Sequence, residues 1–100
     1  MKVKINQKLM GSDGSPLEKE KGQAITFKDI AIHSVLSPIQ GDDEKKKWDK
    51  YEIYRKLKDA KDDVELKAEE ITLLKQVIGK IQPPLVMGQC WEIIERTSTK

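Results

Sequence analysis

The spacing of hydrophobic positions changes near residue 25. Before that point Val3 and Ile5 alternate with Lys2 and Lys4, the period-two pattern of a half-exposed strand. The run Gly11-Ser12-Asp13-Gly14-Ser15-Pro16 gathers turn-forming residues, and Leu17 to Thr26 can return as a second strand with a bend near Gly22. Residues 1–25 therefore read as a β-hairpin. The alternation is short, and a flexible N-terminal arm is the competing reading.

After residue 25 the apolar positions recur at three- and four-residue steps, and four helical segments follow. Thr26 and Asp29 form a capping-box pattern ahead of Phe27, Ile30, Ala31 and Ser34 or Val35. Pro38 closes that segment, so the helix is expected over about residues 27–36. Asp42 or Asp43 can cap the next helix, whose stripe is Ile53, Tyr54, Leu57 and Ala60, with Tyr51 on its flank and Trp48 pointing away. That helix is expected to stop near Ala60, since Asp62 and Asp63 oppose the negative end of the helix dipole.

"VELKAEEITLLKQVIGKIQ" supplies a third stripe, Ile71, Leu74, Val77 or Ile78 and Ile81, broadened by Leu73. Gly79-Lys80 offers it a stop. Pro84 suits the first turn of a fourth helix, in which Val86, Cys90 and Ile93 or Ile94 share a face with Trp91. Gly88 stands out there, because glycine in a helix interior costs ~1 kcal/mol against alanine. Close approach of another helix is one explanation. Residues 96–100 are expected to fray. The fold class is α+β and mainly α: an N-terminal β-hairpin followed by three or four short helices, within one domain of residues 1–100 whose helical body is 26–95.

Composition limits the chemistry. Hydrophobic and charged residues make up 37% and 36%, so a small core beneath a heavily charged surface is expected. Nineteen basic against seventeen acidic residues leave +2, interleaved rather than blocked, which is weak for a dedicated nucleic-acid binder. No apolar run reaches the ~18 residues of a membrane span, and "MKVKINQKLM" lacks the apolar stretch of a secretory signal. Cytoplasmic residence and no membrane partner are the resulting expectations.

With one cysteine and one histidine, neither an intrachain disulfide nor a His–His metal pair can form. His33 reads as a surface or partly buried helix residue. Cys90 has apolar helix neighbours that would raise its thiol pKa rather than activate it. No catalytic, cofactor-binding or metal-ligating set is expected. The Thr26-to-Asp29 opening has a distant likeness to helix-turn-helix starts, but the acidic stretch after Pro38 and Gly41 leaves no short turn into a recognition helix.

Two surfaces remain. Trp48, Tyr51, Met87 and Trp91 are candidate protein contacts if exposed, since aromatics and methionine contribute strongly to interfaces. Core packing is the favoured reading for Trp91 and Tyr54. Lys45, Lys46, Lys47 and Lys50, beside stackable aromatics, are the candidate nucleic-acid contacts. Asp49, Glu52 and Asp59 interrupt that basic field.

In their order, "ITFKDIAIHSVL", "KYEIYRKLKDA", "VELKAEEITLLKQVIGK" and "PPLVMGQCWEIIE" resemble a family of small phage and prophage proteins over roughly residues 24–95. The resemblance implies a variable N-terminal segment with a turn, a helical body and a phage setting, and transfers no active-site residues. Relatives tend to carry Ser or Thr where Lys67 stands. Lysine cannot accept the capping hydrogen bond, so a weaker or displaced cap is expected. The functional expectation is a non-enzymatic phage accessory or assembly protein that binds another protein, with self-association possible in principle. The alternative is a nucleic-acid-binding module using residues 45–58.

Overall fold

A computed structural model describes residues 1–20 and 22–98. In chain order it contains β1 (Lys2–Lys4), β2 (Glu18–Glu20), β3 (Gln23–Ala24), α1 (Phe27–Leu36), α2 (Glu44–Asp59), β4 (Asp63–Glu65), α3 (Ala68–Ile81) and α4 (Pro84–Ser98). The architecture is mainly helical with short antiparallel strands, as the periodicity predicts.

The N-terminal segment reverses at Gly11–Pro16, as expected. Asp13 Oδ1 accepts from the Ser15 N–H and hydroxyl, Gly11 N–H donates to the Ser15 carbonyl, and Gly14 takes φ +86°. That positive φ is open to glycine at little cost. The expected bend at Gly22 separates β2 from β3, again with positive φ. Leu9, Leu17 and Ile25 then close a ring of backbone bonds: Leu9 N–H to Ile25 O (2.9 Å), Ile25 N–H to Leu17 O (2.7 Å) and Leu17 N–H to Leu9 O (2.8 Å). Three short strand segments thus satisfy one another without forming a flat sheet.

β1 stands outside this hairpin. It pairs antiparallel with β4, Val3 facing Val64, and the ladder extends through Ile5 N–H to Asp62 O and Leu66 N–H to Met1 O. The stretch Val64–Leu66, which the sequence reading assigns to the third helix, is therefore strand and connector. Val3, Ile5, Val64 and Leu66 are all buried, so this pairing pins the N-terminus into the core between α2 and α3 in sequence.

The helices follow their caps. Asp29 N–H donates to Thr26 Oγ1 while Thr26 N–H donates to Asp29 Oδ2, completing the capping box of α1. Asp43, rather than Asp42, caps α2 through the Lys46 N–H (2.8 Å). At α3 the Lys67 side chain makes no cap, and the Glu70 carboxylate accepts the Lys67 N–H at 2.8 Å. Half of the usual reciprocal box survives.

The expected stop at Gly79-Lys80 does not occur. α3 continues to Ile81, and Gln82 N–H still bonds Ile78 O. The break comes from Pro83, which disfavours helical geometry at Gln82. α4 runs to Ser98, so the frayed tail expected from residue 96 is helical at 96–98, and Thr99 and Lys100 lie outside the described residues.

One apolar cluster joins these elements: Val3, Ile5 and Leu9 from the N-terminal segment, Phe27, Ala31 and Val35 of α1, Ile53 and Leu57 of α2, and Ile71, Leu74 and Ile78 of α3, closed by Cys90, Ile93 and Ile94 of α4. α1 packs on α2 and α3, and α4 on α3 and β1. The Gln89 side-chain amide bonds both Met10 N–H and Met10 O, fixing the turn region to α4.

Candidate interaction surface

α2 is the helix least committed to the core. Its buried residues are Lys50, Ile53 and Leu57, a single narrow stripe, and residues 44–48 are exposed. Its mean composition is strongly polar, so the N-terminal half is held by local electrostatics. Asp43 caps it, and Lys45 pairs with Asp49 at 3.1 Å one turn on.

Lys50 provides the unexpected anchor. It occupies a core-stripe position, three before Ile53 and seven before Leu57, and is only 4% exposed. Its ammonium donates to Asp42 Oδ2 at 2.7 Å and to the Ser37 carbonyl at 3.1 Å, linking the end of α1, the following loop and α2. The Lys50 hydrogen bond, with further help from the charges of Lys50, Lys46 and Lys80, outweighs desolvation and holds the Asp42 carboxyl below the usual carboxylate range. Lys50 is thus unavailable to a phosphate, which corrects its assignment as a nucleic-acid contact.

The exposed side of α2 carries an aromatic ridge. Trp48 and Tyr51 are 56% and 46% exposed, with ring centroids 5.7 Å apart, and Tyr54 follows at 6.0 Å from Tyr51 while packing against the core. The three-residue steps put these rings in a row along the helix. Of the candidate contacts, Trp48 and Tyr51 are therefore brought together on an open surface.

Met87 and Trp91 belong elsewhere. Both are half-buried against the core on α4. Trp91 lies on Gly79 of α3, donates its Nε1–H to the Lys75 carbonyl at 3.1 Å, and has the Lys75 ammonium 4.6 Å from its ring centroid. It holds α3 to α4, so it serves packing rather than an exposed contact.

The ridge is bordered by two depressions. Between α2 and α3 lies an open groove of about 840 Å³ that includes Trp48, Ile53 and Leu73. Its charges are largely spoken for: Lys45 with Asp49, Arg55 with Glu52, and Lys56 with Glu70 at 2.8 Å. Burial pushes the Glu70 carboxyl up, but hydrogen bonds from Lys56 and the Lys67 N–H win, leaving it below its ordinary value.

On the other side, between the end of α1 and the start of α2, is a cleft of about 570 Å³. Leu36, Pro38, Ile39 and Tyr51 form its apolar walls, and the Asp42–Lys50 pair sits within it. Leu36 is 53% exposed. Lys47 lines the same cleft, and neither Lys46 nor Lys47 makes an ion pair among the described residues.

Leu36 and Ile39 stand outside the apolar stripes legible in the sequence. Leu36 lies off the Phe27–Ala31–Ser34–Val35 stripe, and that mismatch beside a helix-ending proline is the available signal. The burial of Lys50 was equally legible from its spacing to Ile53 and Leu57.

The single histidine and the single cysteine lie apart from this surface. His33 is exposed on α1. Cys90 is buried, and desolvation pushes its thiol up to about 12, far from a nucleophile's range. Among the described residues no group of His, Cys, Asp and Glu converges for a metal, and no helix is long and apolar enough to cross a membrane. Comparison with known protein families, curated proteins and solved structures finds no match to this chain.

Proposed function

We propose that this chain is a non-enzymatic protein-binding module that engages its partner through the exposed ridge of α2. The supporting observation is the Trp48–Tyr51 pair, two large aromatic side chains about half exposed and adjacent along one helix, with a mostly charged groove on one side and a cleft with apolar walls on the other. Large aromatics flanked by pockets are the usual anchors of protein interfaces. The resemblance of the helical body to small phage and prophage proteins supplies the setting, an accessory or assembly role.

The nucleic-acid alternative keeps Lys45, Lys46 and Lys47 but loses Lys50 to Asp42 and part of Lys45 to Asp49. Two unpaired lysines next to Asp43, Glu44 and Asp49 make a poor track for a phosphate backbone. Affinity capture from phage-infected cells tests the preferred reading. The unaltered chain should retain a protein that Trp48→Ala and Tyr51→Ala lose, and that Lys61→Ala, at an exposed residue between α2 and β4, keeps. Equal capture by all four forms, or nuclease-sensitive capture, would overturn it.

A further inference from the structure

We propose that the cleft between α1 and α2 is the docking site for an acidic peptide segment carrying an aliphatic anchor side chain. The inference rests on the protein-binding reading and adds the chemistry of the partner. Leu36, Pro38, Ile39 and Tyr51 enclose the apolar part of a cleft whose volume, about 570 Å³, matches a few side chains rather than a folded surface. Small-ligand pockets span ~300–1,000 Å³, so this size suits a short anchor.

Charge selects the rest of the partner. Within the cleft Asp42 and Lys50 neutralise one another at 2.7 Å, and Lys47 is the remaining charged group. Lys46 lies one residue before it on α2, and Lys80 of α3 is near enough to act on the Asp42 carboxylate. None of Lys46, Lys47 and Lys80 forms an ion pair among the described residues. Two carboxylates oppose them at the helix start. Asp43 is turned onto the Lys46 N–H as the helix cap, and Glu44 is exposed one turn before Lys47.

An apolar hollow with one unpaired ammonium in its lining, Lys47, and with Lys46 and Lys80 near enough to act on its Asp42 carboxylate, complements a segment of carboxylate and aliphatic side chains. A nucleic-acid strand fits it less well. The walls offer one aromatic ring, and Asp43 and Glu44 break the cationic track. The Lys50 link to Asp42 and Ser37 O fixes both walls, so little ordering is required on binding.

Fluorescence anisotropy with a labelled synthetic peptide of aspartates, glutamates and two leucines tests this directly. Its controls are the same peptide with alanine for leucine, and with lysine for each acidic residue. The acidic leucine peptide should bind at low salt, and both controls should bind at least about tenfold more weakly. Leu36→Ser should weaken binding about tenfold or more, because the anchor side chain loses its apolar wall. Lys47→Glu should weaken it several-fold, more at low salt, and Glu44→Gln should strengthen it.

Leu36, Lys47 and Glu44 are all exposed, and unchanged thermal melts will verify that each variant folds. Absence of binding by the acidic peptide would overturn the inference, as would equal binding of the lysine peptide or indifference to Leu36→Ser. Displacement of the peptide by a single-stranded oligonucleotide would reassign the cleft to nucleic acid. Dimerisation abolished by Leu36→Ser would reassign it to a second copy. Capture of a protein through Trp48 and Tyr51, with no peptide binding, would leave the broader function standing and remove only this inference.

Discussion

Two glycines in neighbouring helices should respond oppositely to the same substitution. Alanine in place of glycine in a helix interior is worth ~0.8–1.0 kcal/mol through backbone entropy. At Gly88 an added Cβ meets no atom within 4 Å, so nothing opposes that gain. Gly88→Ala should stabilise the chain by about 1 kcal/mol, which for a domain of this size raises Tm by ~4–8 °C. At Gly79 the added Cβ would sit 3.3 Å from Trp91 Cζ2. That ring is tethered by its Nε1–H to Lys75 O, and Gly79 lies in the last turn of α3, where propensity counts less. Gly79→Ala should therefore be neutral or destabilising, leaving the two variants about 1 kcal/mol apart.

Urea and thermal denaturation of both variants beside the parent measure this, with an unchanged m-value as the check that only stability has moved. A Gly88→Ala protein no more stable than the parent would refute the open environment described for α4. Equal stabilisation by Gly79→Ala would refute the packing of Trp91 on Gly79.

Three further outcomes follow from the charged and buried groups. Lys50→Met should lower Tm far more than Lys47→Met, because it strands the nearly buried Asp42 carboxylate; adding Asp42→Asn should recover part of the loss. The Asp29, Asp42 and Glu70 carboxyls are held below their ordinary values, so their stabilisation is present above the unfolded range of ~4 and is lost as pH falls through the lower folded values. Denaturant midpoints should be steady near neutrality and fall on acidification below about pH 4, with Glu70→Gln flattening that fall. Cys90, with its thiol pushed up to about 12, should resist a disulfide reagent at pH 8 in the native protein and react promptly in urea.

Local chemistry made much of the fold legible. Thr26, Asp29 and Pro38 bound α1 as expected, and Pro84 opens α4 where its missing N–H costs nothing. The pairing of Val3 with Val64 was not legible, because it joins short segments separated by most of the chain, and Val64 also fits an extension of the next helix. Gly79 misled for a different reason. A glycine in the sequence signals either a stop or a close approach, and only the position of Trp91 decides for close approach.

The same contrast applies to the surface. Trp48 could be read as exposed from its offset to the Ile53–Leu57 stripe. Lys50, counted among the basic residues, belonged by spacing to that stripe, where its charge is retained by Asp42 and a backbone carbonyl. The question raised by Gly88 also changes: no other helix packs there within the described residues, whereas Gly79 receives the tryptophan.

The proposed function requires that the α2 ridge, and not α4, meet a protein partner. Photo-crosslinking tests it most directly, with benzoylphenylalanine placed in turn at Tyr51 and at Met87 and the chain expressed during phage infection. A discrete protein adduct is expected from the Tyr51 position and none from Met87. Adducts from Met87 alone, or nucleic-acid adducts from Tyr51, would contradict it.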